Sequence, residues 1–426
     1  MIKSYLIDGV FGETDFNDFG RIYSSIEKHR KDIWKMPIEV ILNIFDELGK
    51  SILLDRDLES IDGINYLCLW LRKKNLKDLI KLNLGDIRYL DNFVNISDKH
   101  KIKAQPRGVV CHWIAGNIPT LAIFSLVQSL IGKNGNILKV SEESASLIIS
   151  ILKKLNDIKV FLEREYLGKD LLKAISIVSF SSSETSLNKE FSLIADCKVI
   201  WGGKQAVEQI LSLPQKEHCE TNIFGPKYSF GVFDREYIEE KDFLDELSKS
   251  VLDIIAFDQM GCSSPHVIFF EKSRYSIHEI GERLADCFKK ITKRYPKQQI
   301  DPYTATKILN IRAKYYLDQN KDIIAEKRCD WTILIDQNIC LEEPIQSRTI
   351  FIKEIQSVDE VIPLITRKVQ TIGIGIKDEA KKDKFCLNAT YHGVARCVSH
   401  GLMNNFESPW DGLFFIHRLV YWATMK

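Results

Sequence analysis

Cys262 has the residue type and position that most favour covalent chemistry in this chain. It stands between Gly261 and the run S-S-P at 263–265, in a predicted turn that follows a helical pattern and precedes an apolar strand. Cysteine nucleophiles often lie at the end of a helix or strand, where backbone N–H groups favour the thiolate. Position alone leaves a structural cysteine as the alternative. The other nine of the ten cysteines form no C-x-x-C pair, which is typical of small buried hydrophobes in a reducing compartment.

Alternating strands and helices over 108–213 must position any group that acts with this cysteine. Four apolar strands are predicted, each followed by a helical pattern: 108–114, 136–140, 174–180 and 198–201. Crossover connections of this kind produce a parallel sheet covered on both faces. Because ligands bind such sheets at the carboxyl ends of the strands, Asn117 and Gly202 lie where a ligand is expected.

A second α/β unit follows the first. Its predicted strands are 229–234, 266–270, 331–336, 349–354 and 371–376, and its predicted helices are 239–256, 277–293 and 303–318. No repeat or low-complexity linker is present in the sequence, which therefore predicts a compact two-lobed α/β protein. Near residue 100, the basic cluster 99–103 is interpreted as a solvated loop.

The charge balance argues against several classes of function. Lysine plus arginine total 59 against 58 for aspartate plus glutamate, so the 426-residue chain has a formal net charge of +1. A nucleic-acid binder needs a basic face, so we predict no nucleic-acid partner. The start of the chain has acidic residues where a signal peptide has its apolar core, which favours a cytoplasmic location.

The stretch from 108 to 132 contains no Asp, Glu, Lys or Arg. A membrane-spanning helix needs about 20 continuous apolar residues. Here the turn A-G-N-I-P at 115–119 interrupts the run, and polar side chains such as His112, Ser125 and Gln128 lie along it. We interpret it as a buried strand, a tight turn and a buried helix, and predict no membrane span.

Common cofactor and metal motifs are absent from the sequence. It contains no G-x-G-x-x-G fingerprint, Walker loop, H-E-x-x-H or C-x-x-C motif. Cys386, His392, Cys397 and His400 could be counted as four ligands, but their spacing matches no common zinc finger. We predict no metal site.

Four ordered motifs resemble those of the aldehyde dehydrogenases. They are W-I-A-G-N-I-P at 113–119, N-I-L-K-V-S-E at 136–142, V-I-W-G-G at 199–203 and F-D-Q-M-G-C at 257–262. In order, they are similar to that family's P-W-N-F-P turn, T-V-V-L-K-P-S-E strand end, F-T-G-S loop and, compressed by a residue, F-x-x-x-G-x-C nucleophile segment.

Further segments narrow the resemblance to the LuxC-type acyl-CoA reductases, the fatty-acid reductase branch of that superfamily. They are P-R-G-V at 106–109, F-G-P-K at 224–227, S-R-T at 347–349 and W-D-G at 410–412. The resemblance extends from about 105 to the C-terminus.

This resemblance implies an aldehyde-dehydrogenase-like α/β fold, with two parallel-sheet lobes and the active site in the cleft between them. It implies a cofactor-binding domain over 1–225, comprising a helix-rich part (1–100) and a parallel core (105–213). A catalytic domain over 226–404 would carry the nucleophile, and segment 405–426 would return to the cofactor-binding domain.

The resemblance also implies the catalytic roles. Cys262 would be the nucleophile, and the Asn117 side-chain amide would complete the oxyanion hole. Hydrolytic family members carry a catalytic glutamate in L-E-L-G-G-K, where this chain has N-I-F-G-P-K at 222–227, so Ile223 replaces the base. Water is then poorly activated, which favours chemistry in which a thiol enters or leaves.

The cofactor residues follow from the same motifs. Those implied are Lys139, Ser141, Trp201, Gly202, Gly203 and Glu343. Lys139 and Ser141 would meet the adenosine ribose, and helix N-terminal amides beyond Trp201 would lie near the pyrophosphate. Glu343 is the nearest candidate for the glutamate that holds the nicotinamide ribose. An available lysine fits NADPH, with NADH as the other possibility.

The resulting prediction is NADPH-dependent reduction of a fatty acyl-CoA or acyl-carrier thioester to the aldehyde, through an acyl-cysteine on Cys262. Two alternatives stay open: a hydrolytic aldehyde dehydrogenase with another base, and a non-catalytic acyl-binding scaffold of a multi-enzyme complex. The resemblance further suggests a homo-oligomer and an acyl-activating synthetase as partner.

Overall fold

The structure, a computed structural model, describes residues 1–59, 61–116, 118–297 and 300–426. The chain divides into two compact units. The first contains Met1–Gly225 and Phe406–Lys426, and the second contains Pro226–Asn405.

The first unit is built around a mostly parallel sheet. Its described strands are β1 (Ile2–Ile7), β2 (Val10–Phe16), β3 (Val94–Ser97), β4 (His100–Pro106), β5 (Val109–Trp113), β6 (Gly135–Lys139), β7 (Lys159–Phe161), β8 (Glu165–Leu167), β9 (Ile175–Ser179), β10 (Cys197–Trp201), β11 (Glu220–Phe224) and β19 (Val420–Met425). Its described helices are α1 (Gly20–Lys35), α2 (Ile38–Leu53), α3 (Ile64–Trp70), α4 (Lys73–Leu84), α5 (Pro119–Ile131), α6 (Glu142–Lys153), α7 (Lys169–Leu172), α8 (Thr185–Ile194), α9 (Lys204–Leu211) and α15 (Phe415–Arg418).

The main sheet of this unit has the strand order β11-β10-β5-β6-β9-β1-β2. Strands β11 to β9 are parallel, whereas β1 and β2 are antiparallel additions at one edge. Strands β19, β4 and β3 form a separate antiparallel sheet. The basic cluster at 99–103 therefore lies mostly in β4, and its interpretation as a loop was wrong, because β19 supplies a distant strand partner.

The inner parallel strands of the main sheet are buried on both faces. On β6, Ile137 packs in one apolar cluster with Val109, and the next residue, Leu138, packs in another with Ile177. Successive strand residues point to opposite faces, so burial of both faces requires a continuous apolar run.

The second unit contains another mostly parallel sheet. Its described strands are β12 (Tyr228–Phe233), β13 (Pro265–Glu271), β14 (Asp322–Ala325), β15 (Thr332–Ile335), β16 (Thr349–Ile355), β17 (Val369–Gly375) and β18 (Arg396–Ser399). Its described helices are α10 (Arg235–Ile238), α11 (Phe243–Ile255), α12 (Ile277–Arg294), α13 (Pro302–Leu317) and α14 (Glu379–Tyr391). The strand order is β14-β15-β16-β13-β12-β17-β18, and β14 alone among these pairs antiparallel to its neighbour.

Local sequence signals explain where several helices begin. Ser141 is the N-cap of α6, and its hydroxyl accepts from the Ser144 N–H. Ser276 and Glu279 form a capping box at the start of α12. Pro119 occupies the first turn of α5, where its missing N–H costs no hydrogen bond.

In the part of the chain that the structure describes, no helix is both long enough and apolar enough to cross a membrane.

Candidate active site

A cavity of about 790 Å³ lies in the first unit, at the carboxyl ends of β5, β6, β9 and β10. The residues that end these strands and line the cavity are Trp113, Lys139, Ser179 and Trp201. Five of the residues selected from the sequence line it together: Lys139, Ser141, Trp201, Gly202 and Gly203. Residues from two separate motifs thus converge because parallel strands place their carboxyl ends at one edge.

Lys139 presents a cation to this cavity. Its Nζ lies 4.3 Å from the centroid of the Phe180 ring, 3.2 Å from Ser182 Oγ and 3.4 Å from Asn188 Oδ1. Among the described residues, no carboxylate forms an ion pair with it. Burial lowers the pKa of Lys139 to about 8, so the ammonium still predominates at neutral pH. A cation held by neutral acceptors can bind an anionic or hydroxyl-bearing ligand.

Ser141 serves the fold as well as the cavity. Its hydroxyl lies 2.8 Å from the Ser144 hydroxyl, which in turn donates to the Gly116 carbonyl over 3.3 Å. A Cβ on Gly116 would lie 3.1 Å from Ser141 Oγ, so the turn after β5 packs closely on the N-terminus of α6.

The segment after β10 combines an aromatic wall with exposed amides. The Trp201 indole stacks on Phe224 with 3.8 Å between ring centroids and 9° between planes. Gly203 is the N-cap of the eight-residue helix α9 and has no side chain to bond the first N–H groups. Those donors suit an anionic ligand such as a diphosphate.

Cys262 lies in the second unit, in the turn that enters β13, and is half-buried. Its carbonyl accepts a hydrogen bond from Ser229 Oγ over 2.7 Å. The Ser229 hydroxyl in turn accepts from the Thr371 N–H over 3.0 Å. Strands β12 and β17 therefore fix the backbone of the candidate nucleophile.

Two backbone segments with positive φ contact each other next to this turn. Phe257, Asp258 and Gln259 have φ of 54°, 46° and 65°, and the three residues 346–348 have φ of 71°, 53° and 59°. Left-handed backbone costs a non-glycine residue about 1–3 kcal/mol, so such runs persist only where the surroundings hold them.

Side chains connect the two strained segments. Asp258 accepts from Ser347 Oγ over 2.8 Å and from Arg348 Nε over 3.0 Å. Gln259 donates to the carbonyls of Pro265 and Thr349 over 2.8 and 3.0 Å and accepts from the Thr349 N–H over 2.9 Å. We call this set of contacts, between 257–259 and 347–349, the brace. It fixes the chain immediately before Cys262.

Asn404 supports the other side of the turn. Its Oδ1 accepts from the hydroxyls of Ser263 over 2.8 Å and Ser264 over 3.2 Å, and its Nδ2 donates to the Asp253 carbonyl over 2.8 Å. The Asp253 carboxylate accepts from the N–H groups of Gly401 and Met403, which anchors the loop that carries Asn404.

We expect Asn404→Ala to lower the free energy of unfolding by about 2 kcal/mol, because two buried hydroxyls lose their acceptor. We expect turnover to fall about tenfold, since the residues next to Cys262 lose their support. Chemical denaturation and steady-state kinetics measure the two effects, with Asn405→Ala as the matched neighbour. Full turnover in Asn404→Ala would contradict this role.

Comparison with known proteins identifies the family. The model of the family described as acyl-CoA reductase (LuxC) matches residues 34–422. The chain belongs to the acyl-CoA reductase (LuxC) family.

This LuxC-family chain is 23% identical over 404 residues to the long-chain acyl-protein thioester reductase of Aliivibrio fischeri. That alignment covers 91% of this chain and 76% of the relative. The solved structure of aldehyde dehydrogenase from Brucella melitensis biovar abortus 2308 has a TM-score of 0.67 at 12% identity, covering 100% of this chain and 93% of that one. Glyceraldehyde-3-phosphate dehydrogenase GapN of Methanocaldococcus jannaschii, complexed with NADP, has a TM-score of 0.64 at 15% identity, covering 95% and 92%. The predicted aldehyde-dehydrogenase-like α/β fold is confirmed.

The sequence also selected Asn117 and Glu343 in this LuxC-family chain. Asn117 lies outside the described residues. Glu343 is an exposed residue between β15 and β16. Burial, and to a smaller extent the Glu343 charge, raises the pKa of Tyr228 at the start of β12. The neighbouring Glu342 is paired with the buried Lys353 over 2.6 Å.

The four residues counted as possible metal ligands of this LuxC-family chain do not gather at one point. His400 stacks on Phe233 with 4.2 Å between ring centroids, whereas His392 bonds to the Asn388 carbonyl at the exposed end of α14. Across the described ranges, no three His, Cys, Asp or Glu side chains are grouped so as to hold a metal ion.

Sequence reasoning missed the residues that surround the key groups. Ser182 and Asn188 hold Lys139, and Asn404 holds the Cys262 turn, yet no motif marks them. The motifs at 258–265 and 347–349 were recognised in the sequence, but their mutual contact was not. The presence of both motifs in one sequence was the signal from which their contact could have been inferred. A left-handed backbone segment needs contacts from another segment to hold it.

Proposed function

We propose that this chain reduces an acyl thioester to the corresponding aldehyde with NADPH, through an acyl-cysteine on Cys262. The observation that carries the proposal is that Lys139, Ser141 and the 201–203 segment line one cavity, in a chain whose family is described as acyl-CoA reductase. The relative from Aliivibrio fischeri is named a long-chain acyl-protein thioester reductase, which supports the same reaction class.

In the first half of the reaction, the Cys262 thiolate attacks the thioester carbonyl. A bond forms between Cys262 Sγ and the acyl carbon, the bond from that carbon to the carrier sulfur breaks, and the carrier thiolate takes a proton. Ile223 stands where hydrolytic members of the resembled family carry a glutamate, so no carboxylate at that position activates water against the acyl-cysteine.

In the second half, the acyl group on Cys262 becomes the aldehyde. A bound reduced nicotinamide cofactor supplies the hydride. The reduced carbon then re-forms its carbonyl, its bond to Cys262 Sγ breaks, and the thiolate is restored. Negative charge develops on the carbonyl oxygen in both halves, and the Asn117 amide and the Cys262 N–H would receive it.

The residues of the cavity fit such a cofactor. The amides that follow Gly203 suit a diphosphate, and Trp201 provides an apolar wall. Lys139 lies among neutral acceptors and suits the ribose or its 2′-phosphate. We assign NADPH over NADH on this cation, and we propose Glu343 as the contact of the nicotinamide ribose.

We expect Lys139→Ala to raise the KM for NADPH about 10- to 100-fold, because a charged hydrogen bond is worth roughly 1.5–3 kcal/mol. The KM for NADH should rise less, since NADH has the adenosine ribose but no 2′-phosphate. Steady-state kinetics with both cofactors measures the ratio. Lys153→Ala removes another lysine that lies over an aromatic ring, Phe11, outside the cavity, and serves as control. An unchanged NADPH/NADH ratio would show that Lys139 does not contact the 2′-phosphate.

Product analysis tests the proposed function. Enzyme incubated with a long-chain acyl-CoA and NADPH should release aldehyde and free CoA in equal amounts. In reverse, aldehyde with NADP⁺ should yield acyl-CoA when CoA is present and little free acid when it is absent. Free acid formed without CoA would indicate a hydrolytic aldehyde dehydrogenase, and no acyl transfer at all would favour a scaffold.

The donor and the partners of the reaction remain predictions. We propose an acyl-CoA or an acyl-carrier thioester as donor, supplied by an acyl-activating synthetase, and a homo-oligomeric enzyme. A screen of acyl donors of different chain length with NADPH and NADH would identify the substrate.

A further inference from the structure

A network of buried, hydrogen-bonded polar side chains adjoins the cavity of the first unit. It connects Trp201 at the end of β10, Ser125 on α5, His112 on β5 and Asn136 on β6. Trp201 Nε1 lies 3.2 Å from Ser125 Oγ, Ser125 Oγ lies 2.9 Å from His112 Nδ1, and His112 Nε2 lies 3.0 Å from Asn136 Oδ1. Ser125, His112 and Asn136 are fully buried.

Each of the three hydrogen bonds in this network has one possible direction from donor to acceptor. Asn136 donates its Nδ2 to the Asn134 carbonyl over 2.9 Å, so its Oδ1 must accept from His112. His112 therefore carries its proton on Nε2, and its Nδ1 accepts from the Ser125 hydroxyl. The Ser125 oxygen is left to accept the indole N–H of Trp201. Every polar atom that takes part is satisfied once, which is what a buried network requires.

His112 stays in this one neutral form at physiological pH. Burial lowers the pKa of His112 to about 4, so the ring is uncharged. A charged ring, which would carry a proton on Nδ1 and could not accept from the Ser125 hydroxyl, is therefore not populated.

The two contacts of Trp201 define its orientation. Stacking on Phe224 fixes the plane of the indole, and the bond from Nε1 to Ser125 fixes its rotation within that plane. The indole is almost completely buried and forms part of the cavity wall next to Gly202 and Gly203. A rotated indole would change the shape of the cavity.

We propose that Ser125 and His112 are positioning residues for cofactor binding: Ser125 orients Trp201, and His112 orients Ser125. The inference rests on the proposed use of this cavity for a nicotinamide cofactor. It explains why polar side chains interrupt the apolar run at 108–132, where packing alone would favour Val or Leu.

The test measures NADPH binding and turnover in Ser125→Ala. We expect the Kd for NADPH to rise about tenfold, because the indole N–H loses its acceptor. The kcat at saturating NADPH should stay within about threefold, since Ser125 does not contact the reacting atoms. His112→Leu keeps Ser125 but removes the acceptor that orients its hydroxyl, so we expect a smaller rise, about threefold, in the Kd for NADPH. Thermal unfolding establishes that each variant is folded.

A double-mutant cycle with Trp201→Phe separates positioning from a general loss of structure. Phenylalanine has no N–H, so Ser125→Ala should have no further effect on NADPH binding in that background. An unchanged Kd in Ser125→Ala, or the same tenfold rise in the Trp201→Phe background, would overturn the inference.

Failure of the proposed function gives a different result. If the parent protein binds neither NADPH nor NADH, the cofactor assignment fails, whatever the role of Ser125. Tryptophan fluorescence then tests the positioning itself, because the difference between the emission spectra of the parent and Trp201→Phe reports on Trp201. When Ser125→Ala is introduced into both proteins, this difference spectrum should shift in wavelength. An unshifted difference spectrum would overturn the proposed orientation of Trp201.

Discussion

Replacing Cys262 with serine is expected to lower thioester reduction by about 10⁴-fold or more, the size of loss seen when a covalent nucleophile is removed. A serine hydroxyl is ionised far less than a thiol at neutral pH, and an alkoxide is a poorer leaving group than a thiolate. Both halves of the proposed reaction therefore slow down. Aldehyde formation from acyl-CoA and NADPH measures the effect.

Intact-protein mass spectrometry gives this prediction a second readout. The parent enzyme mixed with acyl-CoA, without cofactor, should gain the mass of one acyl group that hydroxylamine removes as a thioester. Cys262→Ser should not form that thioester. Cys329→Ser is the matched control, because Cys329 is also half-buried and also lies in a turn of the second unit. An acyl thioester that persists in Cys262→Ser would assign the nucleophile to another cysteine.

Asn117→Ala is expected to lower turnover about 10²–10³-fold, or roughly 3–4 kcal/mol of transition-state stabilisation. The amide would donate to the carbonyl oxygen as it becomes negatively charged, so its loss affects both the acylation of Cys262 and the reduction. The KM for the acyl donor should change much less than kcat. Pre-steady-state measurement of acylation and of aldehyde formation separates the two steps.

Asn117→Asp distinguishes an oxyanion role from a role in the turn. Aspartate is nearly the same size and is also common in turns, but it replaces the N–H donors with a negative charge. We expect Asn117→Asp to be at least as impaired as Asn117→Ala, with unchanged thermal stability. A rate within a factor of two or three of the parent in Asn117→Ala would contradict the assignment.

The brace before Cys262 gives a physical reason for a motif that has no chemistry of its own. Asp258, Gln259 and Arg348 are polar residues with left-handed or strained backbone, which local propensity disfavours. Their mutual hydrogen bonds offset that cost only when both segments are in place. The second unit thus holds the candidate nucleophile on a turn that is supported from two sides, by the brace and by Asn404.

Much of the fold could be predicted because the inner parallel strands of both sheets are buried on both faces. Continuous apolar runs marked β5, β6, β9 and β10, and the predicted bounds agree with the observed strands to within a residue or two. The antiparallel hairpin of β1 and β2 was not predicted, since β2 is mostly exposed and has no apolar run. The Asp8-Gly9 dipeptide, with φ of 53° and 76°, was the signal for its turn.

The residues of the candidate site could be selected from the sequence where each lies at or just beyond the end of one strand. Lys139 and Trp201 end buried strands, Ser141 and Gly202-Gly203 follow those ends within two residues, and parallel topology brings such ends to one edge. Glu343 lacked a strand end of this kind, and the structure leaves it exposed in a long loop.

By itself, the sequence determined the α/β class and the parallel sheet of the first unit, because apolar periodicity is a local property of the chain. Its resemblance to the acyl-CoA reductases indicated the second parallel sheet, the cavity residues and the candidate nucleophile. The tertiary structure alone decided the brace, the support from Asn404 and the orientation of Trp201 by Ser125 and His112. Each of these joins residues from segments far apart in sequence. Their hydrogen bonds exist only after the strands have paired and excluded water, so no local pattern of residues encodes them.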